Sequence, residues 1–271
     1  MLIYPLYNYY HLGDNIFNFI LFYNLKSYIE SNDIFIDYYC RPCYINQLSE
    51  FNCSRNIRIK NYEEGVPDYA IELWQNTEKI GFTFENFHQK AKQNNCQRIN
   101  YNLYYKLFFN KFLKKVKIPI HLSVLSYIDD DLHVRYDRLN NKYKHIDLLV
   151  VNSQPFSGQY AYNKDIWDGM IRVYQNHFKL ATTTKVDGVL CTMDDNLSVK
   201  DIAALSTKVK VIIAINSGVV PGLLNQYTLR NIKQFYTFDD RCFFSFSNFT
   251  VKEDIRQITV SDLEKYMKKK N

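Results

Sequence analysis

A glycine and an aspartate stand between two apolar segments near the start of the chain. Residues 11–15 read HLGDN, after the run MLIYPLYNYY and before a segment in which apolar residues recur at helical spacing. The pattern predicts a strand at 1–8 and a helix at 15–31, with Gly13 and Asp14 in the turn between them. Glycine allows close backbone approach there, and a helix N-terminus offers free N–H groups. Asp14 is therefore a candidate reactive carboxylate; alternatively, Gly13 makes the turn and Asp14 or Asn15 caps the helix.

Two loops in the second half of the chain carry residue types that can hold a diphosphate. NSQPFSG follows the apolar strand IDLLVV, and INSGVVPG follows the most apolar predicted strand, VKVIIAIN, and is predicted to open the next helix. A hydroxyl, a small residue and free backbone amides can bind phosphate without a glycine-rich fingerprint. These are also ordinary turn residues, so it is their placement after two strands of one domain that favours a ligand site. The candidate ligand residues are Asn152, Ser153, Gln154, Asn216, Ser217 and Gly218.

The order of the elements predicts an α/β chain. In the first half, strands are predicted at 1–8, 34–39, 56–60, 69–73 and 119–126, and helices at 15–31, 44–52, 84–94 and 100–115. A second such pattern begins at IDLLVV and includes helices at 164–177 and 198–206. Such alternation is typical of parallel βαβ units.

The domain division follows from a break in this pattern. Residues 127–145 are charged, have no clean periodicity and are predicted to be a linker. We therefore expect two Rossmann-like domains facing each other across a cleft, 1–135 and 136–271, with ligands at the carboxyl ends of the strands. A single larger doubly wound sheet is the alternative.

Composition and charge narrow the function classes. A chain of 271 residues with 46% hydrophobic and 23% charged residues is typical of a globular protein, and its formal charge of +6 is modest. There is no helix-turn-helix, zinc-finger or RNP signature, so nucleic-acid binding rests on charge alone and is not expected. The segment Lys106–Lys117 is predicted to be a helix with one lysine-rich face. That face is either solvated or rests on anionic lipid or an anionic acceptor.

The cellular location is predicted from the absence of membrane-spanning and secretory signal patterns in the sequence. No apolar run is long enough to cross a bilayer, and the N-terminus has no secretory signal pattern. We expect a cytoplasmic protein, with peripheral membrane contact as an extension of that expectation.

Cysteine and aspartate motifs are the candidates for redox and metal chemistry in this sequence. CRPC at 40–43 is a lone CxxC after a predicted strand, so a thioredoxin-like redox pair or ordinary buried thiols are the alternatives. The aspartate clusters YIDDDL, MDDN and FDD contain no isolated D-x-D after a strand. MDDN (193–196) is expected to cap the following helix, and contact with a nucleotide base or ribose is the alternative. We therefore predict no metal and no cofactor.

The arrangement resembles the heptosyltransferase-like glycosyltransferases, the family 9 group of the GT-B fold. The family's first strand ends in an x-x-G-D turn, which is matched by residues 11–14. Its second domain is matched in order over 148–224 by NSQP, by NKDIW with Trp167, and by LSVKDIAALSTKVKVIIAINSG. The sequence departs from the family at Asn216, where the family has aspartate, and at Pro221, where it has histidine.

The resemblance implies a reaction and a set of roles. A sugar would pass from a nucleotide-sugar donor to a glycan or glycolipid acceptor, without metal and with inversion, and Asp14 would be the general base. Gly13 and the six loop residues would contact the nucleotide-sugar. Because Asn216 and Pro221 lie where the family binds its donor, heptose is not carried over. A catalytically inactive nucleotide-binding protein of the same fold is the alternative.

Overall fold

A computed structural model shows two compact units, Met1–Tyr127 and Ile128–Asn271. The structure describes residues 2–74, 99–123, 125–156, 160–238, 244–245 and 255–258. The predicted helix at 84–94 lies outside these ranges. The functional domain boundary at 135/136 stays a prediction.

The first unit is built on a parallel sheet. Its elements are β1 (Leu2–Asn8), α1 (Leu12–Ser31), β2 (Ile34–Cys40), α2 (Ile45–Glu50), β3 (Ile57–Asn61), β4 (Ile71–Glu72), β5 (Ile99–Asn100) and α3 (Tyr101–Lys115). The main sheet has the order β3-β2-β1-β4, and its paired strands are parallel. The chain runs outward from β1 through β2 to β3 and then returns to β4 on the other side of β1. The carboxyl ends of β1 and β4 therefore form a topological switch point, where open α/β sheets bind ligands.

Helix α1 begins earlier than predicted. It starts at Leu12 with His11 at the N-cap position, so Gly13 and Asp14 lie in its first turn rather than before it. The prediction that Asp14 or Asn15 is the capping residue is wrong, because both lie inside the helix. Side chains around α1 are buried, including Ile16, Phe17 and Phe19 at 0% exposure, as expected of a helix enclosed by the core.

The predicted strand at 119–126 is not formed in the residues that the structure describes. Asn110 of α3 accepts from the backbone N–H of Leu122 at 2.7 Å and donates to its carbonyl at 3.0 Å. Pro119 also lacks the N–H that a sheet ladder needs. Helix α3 itself is confirmed, with aromatic residues such as Phe108 and Phe112 buried and lysines such as Lys114 exposed.

The second unit repeats the parallel design. Its elements are α4 (Asp131–Arg138), β6 (Leu148–Val151), α5 (Lys164–Gln175), β7 (Leu180–Thr182), β8 (Leu190–Cys191), α6 (Val199–Ser206), β9 (Val211–Ile215), α7 (Gln226–Asn231), β10 (Gln234–Phe238), β11 (Phe244–Ser245) and β12 (Ile255–Ile258). The sheet order is β12-β10-β9-β6-β7-β8, and the paired strands are parallel. Because the order reverses between β6 and β9, their carboxyl ends form a second switch point.

The linker prediction for 127–145 is wrong, because this segment contains α4. Lys200 of α6 is 4% exposed and lies 2.8 Å from the Asp129 carboxylate just before α4. Arg135 of α4 also contacts Asp201 at 3.0 Å. These ion pairs hold the segment against α6. Its sequence has too few apolar residues to show a helical period.

The predicted α/β class with two Rossmann-like units is confirmed, and the alternative of a single larger sheet is wrong. Among the described residues, no helix combines the length and apolarity needed to cross a membrane.

Candidate functional site

Asp14 is held by a tyrosine that is distant in sequence. The Asp14 side chain lies in the first turn of α1 and is 7% exposed, and Tyr105 Oη donates a hydrogen bond of 2.5 Å to its Oδ1. Tyr105 is fully buried, and its ring stacks on Phe17 with centroids 4.3 Å apart. The rings fix the tyrosine, and the tyrosine fixes the carboxylate. Sequence reasoning missed Tyr105, whose only signal was its place on the buried face of α3.

Other phenols surround the same carboxylate. Burial raises the pKa of Tyr38, Tyr44 and Tyr104, and the charge of Asp14 raises the pKa of each further. These three phenols therefore stay protonated and uncharged near neutral pH. Negative charge in this site is concentrated on Asp14.

A buried polar network positions the first turn of α1. Tyr38 Oη donates to Asn15 Oδ1 at 2.7 Å and accepts from Asn18 Nδ2 at 2.8 Å. Asn15 Nδ2 in turn donates to the carbonyl of His11 at 2.9 Å. Asn15 and Asn18 of α1 are thus tied to Tyr38 of β2, which limits movement of the helix turn that carries Asp14.

Gly13 is the second residue of α1, so its N–H has no acceptor one turn earlier within the helix. It is half-buried, and its φ is not positive. The backbone of the preceding Leu12 hydrogen-bonds with Tyr44. Contact of Gly13 with a nucleotide-sugar stays a prediction.

In the second unit, the loop after β6 is anchored by Asn152. Its side chain is fully buried, accepts from the N–H of Thr184 at 2.8 Å and donates to the Thr184 carbonyl at 3.1 Å. Because the side-chain amide of Asn152 is bonded to the Thr184 backbone, Asn152 supports the loop. The sequence had instead predicted Asn152 as a ligand contact. Ser153 Oγ lies 2.9 Å from Thr183 Oγ1, and Gln154 is exposed. These two remain the predicted ligand contacts of the loop.

The loop after β9 contains a buried hydroxyl, that of Ser217. The N–H of Asn216 donates to Phe238 at 2.9 Å, while Ser217 is 8% exposed and its Oγ has no hydrogen-bond partner among the described residues. An unsatisfied buried hydroxyl is costly. Ser217 therefore lies at the β6–β9 switch point with a hydroxyl to which no group in the described part of the chain bonds.

The expected helix N-terminus at this loop is corrected by the structure. Asn216, Ser217 and Gly218 are followed by the 3₁₀ turn Val220–Leu223, and the next α-helix, α7, starts only after its cap, Asn225. Pro221 has no N–H to donate and lies in that short turn. No long helix therefore begins at this loop whose dipole could bind a ligand.

The other candidate motifs have structural roles. Burial and the nearby Cys43 raise the pKa of Cys40 to about 12, which is opposite to the lowered pKa of a redox-active thiol. In MDDN, Asp195 accepts from Tyr143 Oη at 2.6 Å. The capping expected of MDDN is instead supplied by a Ser198–Asp201 capping box. In the described part of the chain, no three His, Cys, Asp or Glu side chains cluster as a metal site requires.

No protein-family model and no curated protein matches the chain by sequence. Its fold is similar to that of E. coli heptosyltransferase WaaC with ADP, with a TM-score of 0.56, 7% identity, and coverage of 99% of this chain and 97% of that one. WaaC with ADP-2-deoxy-2-fluoro heptose gives a TM-score of 0.50 at 9% identity over 100% of both chains. The iron-containing dodecameric glycosyltransferase TibC from enterotoxigenic E. coli gives 0.50 at 8% identity, over 88% of this chain and 57% of that one. The predicted likeness to heptosyltransferases is confirmed at the level of the fold.

Proposed function

We propose that this protein is a glycosyltransferase that moves a sugar from a nucleoside-diphosphate sugar to a hydroxyl of a glycan or glycolipid acceptor. The observation that carries the proposal is the buried Asp14 carboxylate, fixed by Tyr105 at the β1–β4 switch point. A carboxylate placed at a ligand-binding edge and held in one orientation is suited to general-base catalysis.

The proposed chemistry is a single displacement. Asp14 takes the proton of the acceptor hydroxyl while that oxygen bonds to the anomeric carbon of the donor. The bond from this carbon to the diphosphate breaks, and the leaving group keeps its electron pair. Attack from the face opposite the diphosphate inverts the anomeric configuration, and no metal takes part.

The second unit would hold the donor. The hydroxyl of Ser217 has no hydrogen-bond partner within the described ranges. Together with Ser153, Gln154 and the backbone at Gly218, it supplies hydrogen-bond capacity after β6 and β9. Hydrogen-bond donors of this kind stabilise a departing diphosphate. ADP and an ADP-sugar accompany the similar WaaC structures, so adenosine diphosphate sugars are the first donors to test.

A catalytically inactive nucleotide-binding protein is the second candidate. It is favoured by the amide of Asn216 where the resembling family has a carboxylate, and by Pro221 where it has histidine. Such a protein would bind a nucleotide without turning over its sugar conjugate.

Turnover of nucleotide-sugars by wild type, Asp14→Asn and Asp33→Asn tests the catalytic proposal. Asp33 is a matched control because it is exposed, lies just after α1, and has a φ of 48°, a region that asparagine also adopts. We expect chromatography to show nucleoside diphosphate released by wild type and Asp33→Asn and not by Asp14→Asn. Binding without release in wild type would support the inactive protein instead.

Ser217→Ala tests the donor side. Because none of the residues that the structure describes bonds to this hydroxyl, the ligand-free variant should melt at the same temperature as wild type or higher. The increase in melting temperature caused by ADP should shrink, since a ligand stabilises by its affinity for the folded state. An unchanged ADP effect would remove Ser217 from the donor site.

A further inference from the structure

Five aromatic rings lie together at the carboxyl edge of the first sheet. This aromatic cluster consists of Tyr7, Tyr9, Tyr10, Tyr62 and Trp74. Tyr10 stacks on Trp74 with centroids 3.5 Å apart and on Tyr9 at 4.2 Å, and Tyr62 lies 5.5 Å from Tyr9 and 5.8 Å from Tyr7. Each of the five side chains is only partly buried. Asn8 and Leu73, which lie beside the rings, are fully buried, so the rings are more accessible than the residues that support them.

The cluster is held in place by its own hydrogen bonds. Buried Asn8 donates to the Leu73 carbonyl at 3.2 Å and accepts from the Tyr10 N–H at 3.0 Å. This ties the end of β1 to the end of β4. Tyr9 Oη donates to Tyr10 Oη at 2.8 Å. A ligand would therefore meet rings already in position, which lowers the entropic cost of binding.

The position of the cluster relates it to Asp14. Tyr9 and Tyr10 form the connection between β1 and α1, and Trp74 follows β4, so the rings occupy the switch point of the sheet. Asp14 lies four positions after Tyr10 in the chain, a span of about 14 Å at most. A glycan can therefore contact the cluster while offering a hydroxyl to Asp14.

The charges at the cluster favour a neutral ligand. The side chain of Glu72 hydrogen-bonds with Tyr7, and burial together with the Glu72 charge raises the pKa of Tyr7 to about 12. The carboxylates of Glu72 and Asp14 both repel an anion. Of the cations on β3, Arg58 and Lys60 are engaged by Asp37 at 2.6 and 2.9 Å. Arg41 approaches Tyr44 and lies outside the cluster.

We propose that the aromatic cluster binds an uncharged pyranose ring of the acceptor glycan. Rings with an electron-rich face pack against the C–H face of a sugar, and phenolic hydroxyls at the rim bond to its hydroxyls. The assignment of this sugar to the acceptor rests on the proposed function. Binding of a neutral sugar at the cluster does not.

Saturation-transfer NMR with irradiation of the protein's aromatic protons tests the binding directly. The probes are neutral methyl glycosides of glucose, galactose and rhamnose, with glucuronic acid and glucose 6-phosphate as acidic counterparts. We expect transfer to at least one neutral glycoside and a decrease of at least fivefold in Tyr9→Leu. Tyr9→Phe should retain the signal because it keeps the ring, which separates stacking from hydrogen bonding.

Two variants serve as controls. Tyr69→Leu removes a tyrosine that is 76% exposed and outside the cluster, and it should leave the signal unchanged. Arg41→Gln should also leave it unchanged, whereas an anionic acceptor would depend on that cation. Transfer to no neutral glycoside, transfer only to the acidic probes, or an undiminished signal in Tyr9→Leu would each overturn the proposal.

Turnover of nucleotide-sugar without acceptor, by hydrolysis, separates the two claims. If wild type binds glycosides through Tyr9 but no donor is hydrolysed, the glycosyltransferase proposal fails and the sugar subsite stands. If donors are hydrolysed and Tyr9→Leu binds glycosides normally, the subsite alone fails.

Discussion

Tyr105→Phe removes the hydrogen bond to Asp14 and leaves the ring that stacks on Phe17. The bond is 2.5 Å long, and both side chains are buried, so water cannot replace it readily. A hydrogen bond to a charged group contributes about 1.5–3 kcal/mol. If this energy holds the carboxylate in its reactive position, its loss lowers kcat/KM by about tenfold to a hundredfold.

The assay is initial-rate release of nucleoside diphosphate, with unfolding by urea measured on the same samples. Tyr143→Phe is the matched control, because Tyr143 is a fully buried tyrosine of the second unit that donates to a carboxylate, Asp195, at 2.6 Å. We expect that control to keep its kcat/KM. Wild-type activity in Tyr105→Phe, or an equal loss in Tyr143→Phe, would refute the assignment of Tyr105 as a positioning residue for Asp14.

Three further predictions concern the two units separately. Tyr38→Phe removes the hydroxyl between two buried asparagines and should lower the free energy of unfolding by about 1–3 kcal/mol in urea denaturation. Lys200→Met removes the cation that pairs with the buried Asp129 carboxylate and should lower the free energy of unfolding by about 3–5 kcal/mol. The double variant Lys200→Met/Asp129→Leu should recover stability, and equal stability of the single and double variants would contradict this prediction. Burial raises the pKa of Cys40 to about 12, so Cys40 remains a neutral thiol at pH 8. Mass spectrometry after brief alkylation at pH 8 should therefore find the exposed Cys43 modified and Cys40 unmodified.

The fold was predictable where apolar periodicity is strong. Strands β1, β6 and β9 are apolar runs, α1 has apolar residues at helical spacing, and the structure forms all four close to their predicted bounds. Helix α4 was missed because contacts such as the Arg135–Asp201 ion pair join residues 66 positions apart, which no local apolar period reveals. The false strand at 119–126 failed because the Asn110 side chain, and no neighbouring strand, satisfies the backbone of Leu122.

The site was predictable only in part, for a related reason. Gly13 and Asp14 stand out because their position between a strand and a helix is local in sequence. Tyr105 does not, because its bond to Asp14 joins residues 91 positions apart. The aromatic cluster likewise combines Tyr9, Tyr62 and Trp74 from separate strand ends, and in a tyrosine-rich chain composition alone does not single them out.

The most direct test of the central claim is the rate of nucleoside-diphosphate release by Asp14→Asn at a donor concentration that saturates it and wild type alike. We expect unchanged donor affinity and a rate lower by about a hundredfold to ten thousandfold, the usual contribution of a general base. Release at the wild-type rate from a fully occupied Asp14→Asn protein would contradict the role of Asp14 and with it the proposed mechanism.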